Sequence, residues 1–525
     1  ISPATSHLRT YPMVLNWKAV VRTLGGLLLF LGVALVAPAL VGLFYGESSW
    51  WSFAAAAGLA FVIGGVTWGT LGGPGANSSD ELGEDDLGVR EGFAIVALSW
   101  FVLSLIGALP FVLGGVLETY TDAFFETMSG FTTTGATIFG GGGNMAIEAM
   151  PNAFLFWRSL AHWMGGMGII VLTLAILPIL GVGGMQLFRA EVPGPSADKL
   201  TPRVRETAKR LWLIYVGITV VEVLFLLPAM SLFDAVNHAF ATMATGGFST
   251  ENGSVGQYGS AYIDWVITAF MFLAGVNFAL HYRLLRGKAI TVWRDTELHV
   301  YTAIVVGATV LIALGTWQPS ASLFASGDAV FNDAFAGYAS VWDALRYGAF
   351  QSVAIVTTTG FGTADYELWP AFAVGVLFLM FFVGGMAGST GGGPKVIRHV
   401  LLFKNAVREL KQLVHPQAII PMRLGGEVVP NDVMRNVLSF IVLYFLLNGV
   451  GIVIMSLLGM DLISAFGATI ASVGNIGPGF GSVGPTDNYA HIPAVGKWIL
   501  SLMMMAGRLE IFTVLIILTP SFWRR

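Results

Sequence analysis

Four short stretches of similar plan recur along this chain of 525 residues. The clearest, YGAFQSVAIVTTTG at 347–360, is an apolar segment too short to cross a bilayer, and it ends in three threonines and a glycine. The other three are DAFFETMSGFTTTG at 122–135, DAVNHAFATMATGG at 234–247 and SAFGATIASVGNIG at 464–477. All have the same length, contain no Lys or Arg, and end in a glycine followed by a turn-forming tail. Four non-identical copies predict a pseudo-fourfold arrangement within one chain.

The ends of these stretches suit a row of backbone carbonyls, because glycine can take the positive φ that turns successive carbonyls one way. In potassium filters, the carbonyls of a similar threonine- and glycine-containing strand replace the water shell of the ion. The repetition therefore predicts a selectivity filter with four unequal quarters. Two alternatives remain: Gly474 competes with Gly477 as the last filter glycine, and the threonines suit ordinary bonds back to a helix carbonyl.

Composition places the chain in a membrane. It is 55% hydrophobic and only 11% charged, whereas a soluble chain is about one quarter charged. The absence of cysteine excludes disulfides and thiolate metal sites. The glycine clusters have no preceding strand or βαβ unit, which argues against a dinucleotide site. We find no catalytic constellation, and we expect no enzyme activity, no organic cofactor and no nucleic-acid partner.

The chain divides into an N-terminal extension and four units. Two apolar spans, 24–45 and 51–71, precede an acidic loop at 72–91. Each unit then consists of an apolar span, a half-span with the filter motif and a second apolar span, which predicts an all-α polytopic protein with ten crossing helices and four re-entrant half-helices. The second apolar spans of the last three units are predicted at 261–282, 369–403 and 493–520. The predicted divisions are 1–91, 92–205, 206–296, 297–430 and 431–525.

The distribution of basic residues predicts the orientation. With the filter motifs opening outward, all but four of the 27 lysines and arginines fall on the cytoplasmic side, as the positive-inside rule requires. The four others are Arg158, Arg346, Lys497 and Arg508. Both termini are therefore predicted to be cytoplasmic.

Beyond the filter stretches, further motifs are similar to those of a known family. They are HWMGGMGIIVL (162–172), GGMQLFRAEVPGP (183–195), KLTPRVRETAKRLWLIY (199–215), GGMAGSTGGGPKVIR (384–398) and AGRLEIFTVL (506–515). The chain resembles the Trk/Ktr/HKT superfamily of potassium uptake proteins, most closely the bacterial Trk-type membrane subunit, which carries two extra N-terminal helices. One departure is Pro394, where the resemblance implies an aliphatic residue.

The resemblance implies that backbone carbonyls beside each filter glycine coordinate potassium, the transported ion. Carried over residue by residue, the filter consists of Thr133, Thr134 and Gly135; Thr245, Gly246 and Gly247; Thr358, Thr359 and Gly360; and Asn475, Ile476 and Gly477. It also implies a homodimer in the bacterial cytoplasmic (inner) membrane and a separate cytosolic ring of RCK-type, nucleotide-binding domains.

The stretch GGMAGSTGGG at 384–393 interrupts a long apolar span. Its glycines make a poor helix, and the following proline cannot easily continue one. One interpretation is a glycine-rich packing face; the resemblance implies an intramembrane gating loop beneath the filter. The gating residues would be Gly384, Gly385, Gly388, Ser389, Thr390, Gly391, Gly392, Gly393 and Lys395.

Arg508 lies near the middle of an apolar span. A central arginine costs about 2.5–3.5 kcal/mol on insertion scales, so it needs a reason to be there. Snorkelling is difficult from mid-span, and pairing with Glu510 is disfavoured because residues two apart do not face each other on a helix. We interpret Arg508 as pore-facing, and the family's pore arginine falls at this position.

Five further polar groups fall within apolar segments, where each either couples a proton or sodium ion or is a satisfied structural group. They are Glu126, His162, Glu222, His238 and Asn277. The main hypothesis is a channel-like potassium uptake protein, and the alternative is a proton- or sodium-coupled symporter with a midplane site. A membrane enzyme acting on lipid comes last, because the sequence lacks a carboxylate or histidine cluster at the interface.

Overall fold

The computed structural model describes residues 15–71, 89–140, 144–179, 204–318 and 337–523. These residues form helices joined by irregular segments, with one short hairpin of β1 (Arg423–Leu424) and β2 (Glu427–Val428). Most of the acidic loop predicted at 72–91, the basic stretch 180–203 and both chain ends lie outside the described residues. The all-α prediction is confirmed for the part of the chain that the structure covers.

Two long N-terminal helices confirm the predicted extension. They are α1 (Trp17–Phe44) and α2 (Trp50–Leu71), so α1 begins seven residues before the predicted span at 24–45. The side chain of Asn16 caps α1 by accepting from the Ala19 N–H at 3.2 Å, which explains the earlier start. Glycines bring the two helices close together: a Cβ on Gly64 would lie 2.8 Å from the Gly25 carbonyl oxygen.

Each of the four units contains a short helix between longer ones. The first two units contain α3 (Val89–Gly107), α4 (Leu109–Leu113), α5 (Tyr120–Phe131), α6 (Asn152–Ile179), α7 (Val204–Leu226), α8 (Leu232–Met243), α9 (Ala261–Ala274), α10 (Phe278–Leu285) and α11 (Ala289–Trp293). The last two contain α12 (Thr296–Thr316), α13 (Val341–Val356), α14 (Ala371–Met380), α15 (Val396–Val414), α16 (Asn431–Leu457), α17 (Leu462–Gly474), α18 (Ala494–Arg508), α19 (Phe512–Leu518) and α20 (Pro520–Trp523). The pore helices are α5, α8, α13 and α17.

A polar residue starts every pore helix. Thr119, Ser231, Ser340 and Asp461 each accept a backbone N–H of the first turn through the side chain. This is the usual N-cap chemistry, and it needs no partner from elsewhere in the fold. Each pore helix is therefore delimited at its start by its own sequence.

Among the described residues, five helices are long and apolar enough to cross a membrane, and the bent pair α9–α10 adds a sixth. Of the other predicted crossings, α6 and α7 are continuous helices, whereas the predicted spans 369–403 and 493–520 are each broken. The second unit is also broken: α9 and α10 meet at 98°. The single helix expected at 261–282 was therefore wrong.

The bend between α9 and α10 is held by tertiary contacts. The Gly275 carbonyl accepts from the Met386 N–H at 2.9 Å, and the Phe278 N–H donates to the Gly388 carbonyl at 3.1 Å. Asn277 caps α10 by accepting from the Ala279 N–H. A break inside an apolar span is tolerated where other backbone satisfies the freed groups, and here the glycine-rich loop does so.

The buried apolar side chains form two large clusters. One joins α1 and α2 with the first and fourth units, and the other joins the second and third units. The pore helices contribute to both clusters: Phe131 and Val473 belong to the first, and Met243 and Val356 belong to the second.

Candidate ion pathway

All four pore helices end in the same hydrogen-bonded cap. In α5, the Thr134 N–H donates to the Ser129 carbonyl at 2.9 Å and the Thr133 N–H to the Gly130 carbonyl at 3.1 Å. This is the Schellman pattern. In the other three pore helices, the bond to the carbonyl five residues earlier joins Gly246 to Ala241, Thr359 to Ala354 and Ile476 to Ala471, at 2.8, 2.8 and 2.9 Å.

The residue that closes each cap has a left-handed backbone although it is not glycine. The φ angles are 51° at Thr133, 54° at Thr245, 60° at Thr358 and 54° at Asn475. Such angles are uncommon outside glycine, and for threonine they carry strain that the surroundings must hold. The sequence analysis did not predict these caps, because a helix cap of this kind is normally recognised by a glycine at the left-handed position.

The glycine two residues further on also has a positive φ in every unit. The values are 81° at Gly135, 79° at Gly247, 75° at Gly360 and 97° at Gly477. Gly474 instead ends the helix α17. Equal spacing thus selects Gly477 over Gly474 as the structural equivalent of the other three glycines.

These glycines form a closed ring in chain order. A Cβ added to each would come closer than 3.0 Å to a carbonyl oxygen of the neighbouring unit, a distance that real Cβ atoms essentially never show. The pairs are Gly135 with Gly246, Gly247 with Thr359, Gly360 with Ile476, and Gly477 with Thr134. Because the fourth unit closes on the first, the two TTTG segments lie opposite each other.

The threonine side chains divide between two roles. Thr132 and Thr357 bond back to the helix carbonyl four residues earlier at 2.7 Å, as the ordinary interpretation expects, and each also bonds the hydroxyl two residues on at 2.8 Å. The Thr358 hydroxyl instead accepts from the Gly392 N–H at 2.6 Å. The ordinary interpretation therefore holds for the first threonine of each triplet only.

A cavity of about 100 Å³ opens on one side of the glycine ring. All four filter glycines line it, together with the acidic residues Glu251 and Asp487 and the basic residue Arg158. Burial, with Glu148 and Asp234 nearby, raises the pKa of Glu251. Crowded negative charge at such a mouth attracts cations.

The glycine-rich stretch lies against the opposite side of the ring. It is irregular between α14 and α15, so a helical packing face does not describe it. A Cβ on Gly391 would lie 2.9 Å from the Thr357 carbonyl oxygen, and one on Gly392 would lie 2.6 Å from that of Gly474. The loop thus contacts the filter ends of the third and fourth units.

Hydrogen bonds hold this loop to itself and to other units. The Gly384 N–H donates to the Pro394 carbonyl at 2.8 Å, and Lys395 Nζ donates to the Gly391 carbonyl. The Thr390 hydroxyl contacts the carbonyls of Met243 at 3.0 Å and Ala274 at 3.2 Å. The bond between Gly384 and the backbone carbonyl of Pro394 joins the two ends of the loop.

Arg508 bridges the loop and the first unit. Its side chain is buried, with Nη1 donating to the Thr390 carbonyl at 2.6 Å and Nη2 to the Gly165 carbonyl at 3.1 Å. Glu510 pairs with Arg398 instead. Both alternatives for Arg508, snorkelling and pairing with Glu510, were therefore wrong.

Glu297 also contacts the loop, and sequence reasoning missed it. Its Oε1 accepts from the Ala387 N–H at 2.8 Å and the Ile397 N–H at 3.2 Å, so one carboxylate clamps the loop to the first turn of α15. From sequence, Glu297 is an ordinary acid in the first turn of α12, where the helix dipole favours it. The local sequence does not indicate these contacts, because the partners of Glu297 lie 90 and 100 residues away.

The candidate coupling groups differ in their surroundings. Glu126 forms an ion pair with Arg158 at 2.9 Å. His238 contacts the Asp234 carbonyl at 2.9 Å and the Ser249 hydroxyl at 3.0 Å, and Asn277 is a helix cap. His162 packs on Phe248 with ring centres 4.1 Å apart. Glu222 is fully buried, as are His162 and His238.

Comparison with known proteins gives a consistent family. The family profile described as "TrkH: Cation transport protein" matches residues 60–524. The chain is 42% identical over 514 residues to the Trk system potassium uptake protein TrkH of Salmonella typhimurium, covering 97% of this chain and 100% of the relative. It is 34% identical over 526 residues to TrkG of Escherichia coli K12, covering 99% of each.

A solved structure agrees with these relatives. The crystal structure of the potassium transporter TrkH from Vibrio parahaemolyticus matches with a TM-score of 0.82 and 37% identity, over 97% of this chain and 100% of that one. Both the family profile and the near-complete relatives cover most of the chain. This chain therefore belongs to the TrkH family of cation transport proteins.

Proposed function

We propose that this chain takes up potassium through a channel-like pore whose selectivity filter is formed by four re-entrant segments. The observation that carries the proposal is the closed ring of four positive-φ glycines, each against the carbonyl of the next unit. The curated relatives are named as potassium uptake proteins, and membership of their family supports the same cargo here.

The filter would bind potassium through backbone oxygens. The carbonyls of Thr133–Thr134, Thr245–Gly246, Thr358–Thr359 and Asn475–Ile476 would replace the water shell of the ion, with each following glycine supplying the turn. Every filter segment continues directly from the C-terminus of a pore helix. Each C-terminus carries roughly half a negative elementary charge, so four of them favour a cation at the ring.

The four quarters are chemically unequal, with TTTG in only two of them. We therefore expect fewer well-formed ion sites than in a symmetric tetramer, modest preference for potassium over sodium, and permeation of rubidium. The two TTTG segments face each other across the ring and would dominate the binding.

The glycine-rich loop and Arg508 would form the gate. Arg508 keeps its proton, so an ion passing it meets a fixed positive charge. At an effective dielectric near 20, two unit charges about 6 Å apart repel by roughly 3 kcal/mol. That barrier slows passage by on the order of a hundredfold. The hydrogen bond between Arg508 and Thr390 supports a joint role.

The location and partners follow from charge and family. We place the chain in the bacterial inner membrane with both termini in the cytoplasm, because nearly all its basic residues then face inward. The resemblance supports a homodimer and a cytosolic RCK-type ring that binds nucleotides. Helix α15, which carries Lys404, Arg408 and Lys411, offers part of a basic inner face for such a ring.

Reconstitution tests the proposal. Purified protein in liposomes should pass potassium down its own gradient with no proton or sodium gradient present, and empty liposomes should not. A symporter would pass potassium only when a proton or sodium gradient is also present. Replacing the buried Glu222 by the isosteric Gln should leave the pH dependence of uptake unchanged under the channel hypothesis; loss of a parent pH dependence would favour proton coupling.

A further inference from the structure

One position of three pore helices contacts the tail that follows the filter glycine of the same unit. It is the fifth residue of the repeated stretch, occupied by Glu126, His238, Gln351 and Ala468. Glu126 accepts from the Ile138 N–H at 3.0 Å and the Thr137 hydroxyl at 2.9 Å. His238 and Gln351 contact Ser249 and Ala364, at 3.0 and 3.4 Å. Alanine at 468 has no polar atom to offer.

In the first unit, this position is part of a buried ion pair. Arg158, from α6, contacts Glu126 through Nε at 2.9 Å, and the two side chains are only 2% and 0% exposed. The same guanidinium donates through Nη2 to the Thr137 hydroxyl at 3.2 Å. Its Nη1 donates to the Ser249 carbonyl of the second unit at 3.1 Å. One planar group therefore joins the filter tails of two neighbouring units.

The interfaces between neighbouring units are called seams here. Other hydrogen bonds bridge the remaining three seams. The Gly256 N–H donates to the Gly362 carbonyl at 3.0 Å, the Tyr366 hydroxyl to the Gly479 carbonyl at 2.5 Å, and the Tyr489 N–H to the Thr137 carbonyl at 2.8 Å. These three bonds join neutral groups, but charged side chains also bridge these seams: Glu367 accepts from the Gly481 N–H at 2.7 Å, and Lys497 pairs with Asp122. Charge-assisted hydrogen bonds are shorter and stronger than bonds between neutral groups, and the guanidinium group is rigid. The first seam differs in that one buried guanidinium contacts the filter tails of both units.

We propose that Glu126 and Arg158 are selectivity-determining positioning residues. They hold the first and second filter tails at the spacing that suits potassium, and neither touches the ion. Sodium is smaller, so binding it requires the carbonyls to close in, and a rigid seam resists that movement. This inference rests on the proposed function of the ring as a filter. It also gives Glu126 a role other than ion coupling.

The pair must be tested without leaving a buried charge alone, because removing one partner is strongly destabilising, whereas replacing both is often neutral. The central variant is therefore the double replacement Glu126→Gln with Arg158→Met. Its glutamine still accepts from Ile138, while the link to Ser249 is lost. Arg158→Lys keeps the charge without the fork. The matched control is Asp122→Asn with Lys497→Met, which removes the ion pair at the first turn of the same pore helix.

Two measurements on purified protein report the result. The first compares the rise in melting temperature caused by potassium with that caused by sodium, since an ion that binds only the folded state stabilises it. The second is the ratio of potassium to sodium flux in liposomes. We expect the double variant to fold and to lose most of the parent's preference for potassium over sodium. Arg158→Lys should be intermediate, and the control should match the parent.

The proposal is overturned if the folded double variant keeps the parent's potassium preference, or if the control pair loses as much. A parent protein with no preference for potassium would instead refute the filter itself. The two failures are therefore distinguishable.

Discussion

The Nη1 atom of Arg508 donates a 2.6 Å hydrogen bond to the carbonyl oxygen of Thr390, at the centre of the glycine-rich loop. The arginine comes from the fourth unit and the threonine from the third, yet their contact lies beneath a ring to which all four units contribute. This bond joins a fixed charge to an irregular loop, so a movement of the loop will also move the charge.

Neutralising Arg508 should speed uptake. Arg508→Gln and Arg508→Ala remove the positive charge, and the rate per inserted molecule should rise, by up to about a hundredfold; Arg508→Glu should be faster still. Arg508→Lys keeps the charge and should resemble the parent. The variants also leave two carbonyls without a donor, at a cost of about 1–3 kcal/mol in stability. Well-inserted Gln and Ala variants that are no faster would rule out the barrier.

Serine at the filter glycines should weaken discrimination between potassium and sodium. Each new Cβ would overlap a neighbouring carbonyl, most severely at Gly360 and least at Gly477, where the distance would be 2.6 Å. The loss should follow that order. Gly307→Ser is the matched control, because a Cβ there meets nothing within 4 Å. Sodium competition against potassium uptake measures the effect, and unchanged selectivity in all four variants would remove the filter assignment.

Shortening the glycine-rich loop should raise flux without a large change in selectivity. Deleting residues 388–390 removes the acceptor of Arg508 while the glycine ring stays intact. The deletion combined with Arg508→Gln should gain little over either alone, because contacting residues do not act additively. Flux and ion preference are measured on the same inserted protein. Loss of all transport from folded, inserted protein would support a packing role for the loop.

Glu297 should matter through its hydrogen bonds more than through its charge. Glu297→Gln can still accept from the Ala387 and Ile397 N–H groups, so its uptake should stay near that of the parent. Glu297→Ala releases the loop from the first turn of α15 and should increase flux in the absence of any activating partner. Liposome flux with the two variants compared side by side is the test; equal behaviour of Gln and Ala would show that the clamp does not restrain the gate.

Local chemistry made much of this fold predictable from the sequence. A polar N-cap, an apolar half-length helix and a glycine at fixed spacing lie within fifteen or so consecutive residues, so they are read without knowing any partner. Arg508 was singled out because a charge in an apolar span is costly wherever it points. The number and order of the filter segments followed from the same repetition.

Contacts between distant residues decided the rest. The bend at Gly275, the clamp by Glu297 and the two carbonyl partners of Arg508 all join segments ninety or more residues apart. The left-handed backbone at Thr133 is likewise unfavourable in isolation, and the surrounding ring holds it. Such features depend on which surfaces meet after folding. No pattern within a single stretch of sequence records that, because the backbone groups involved are common to every residue.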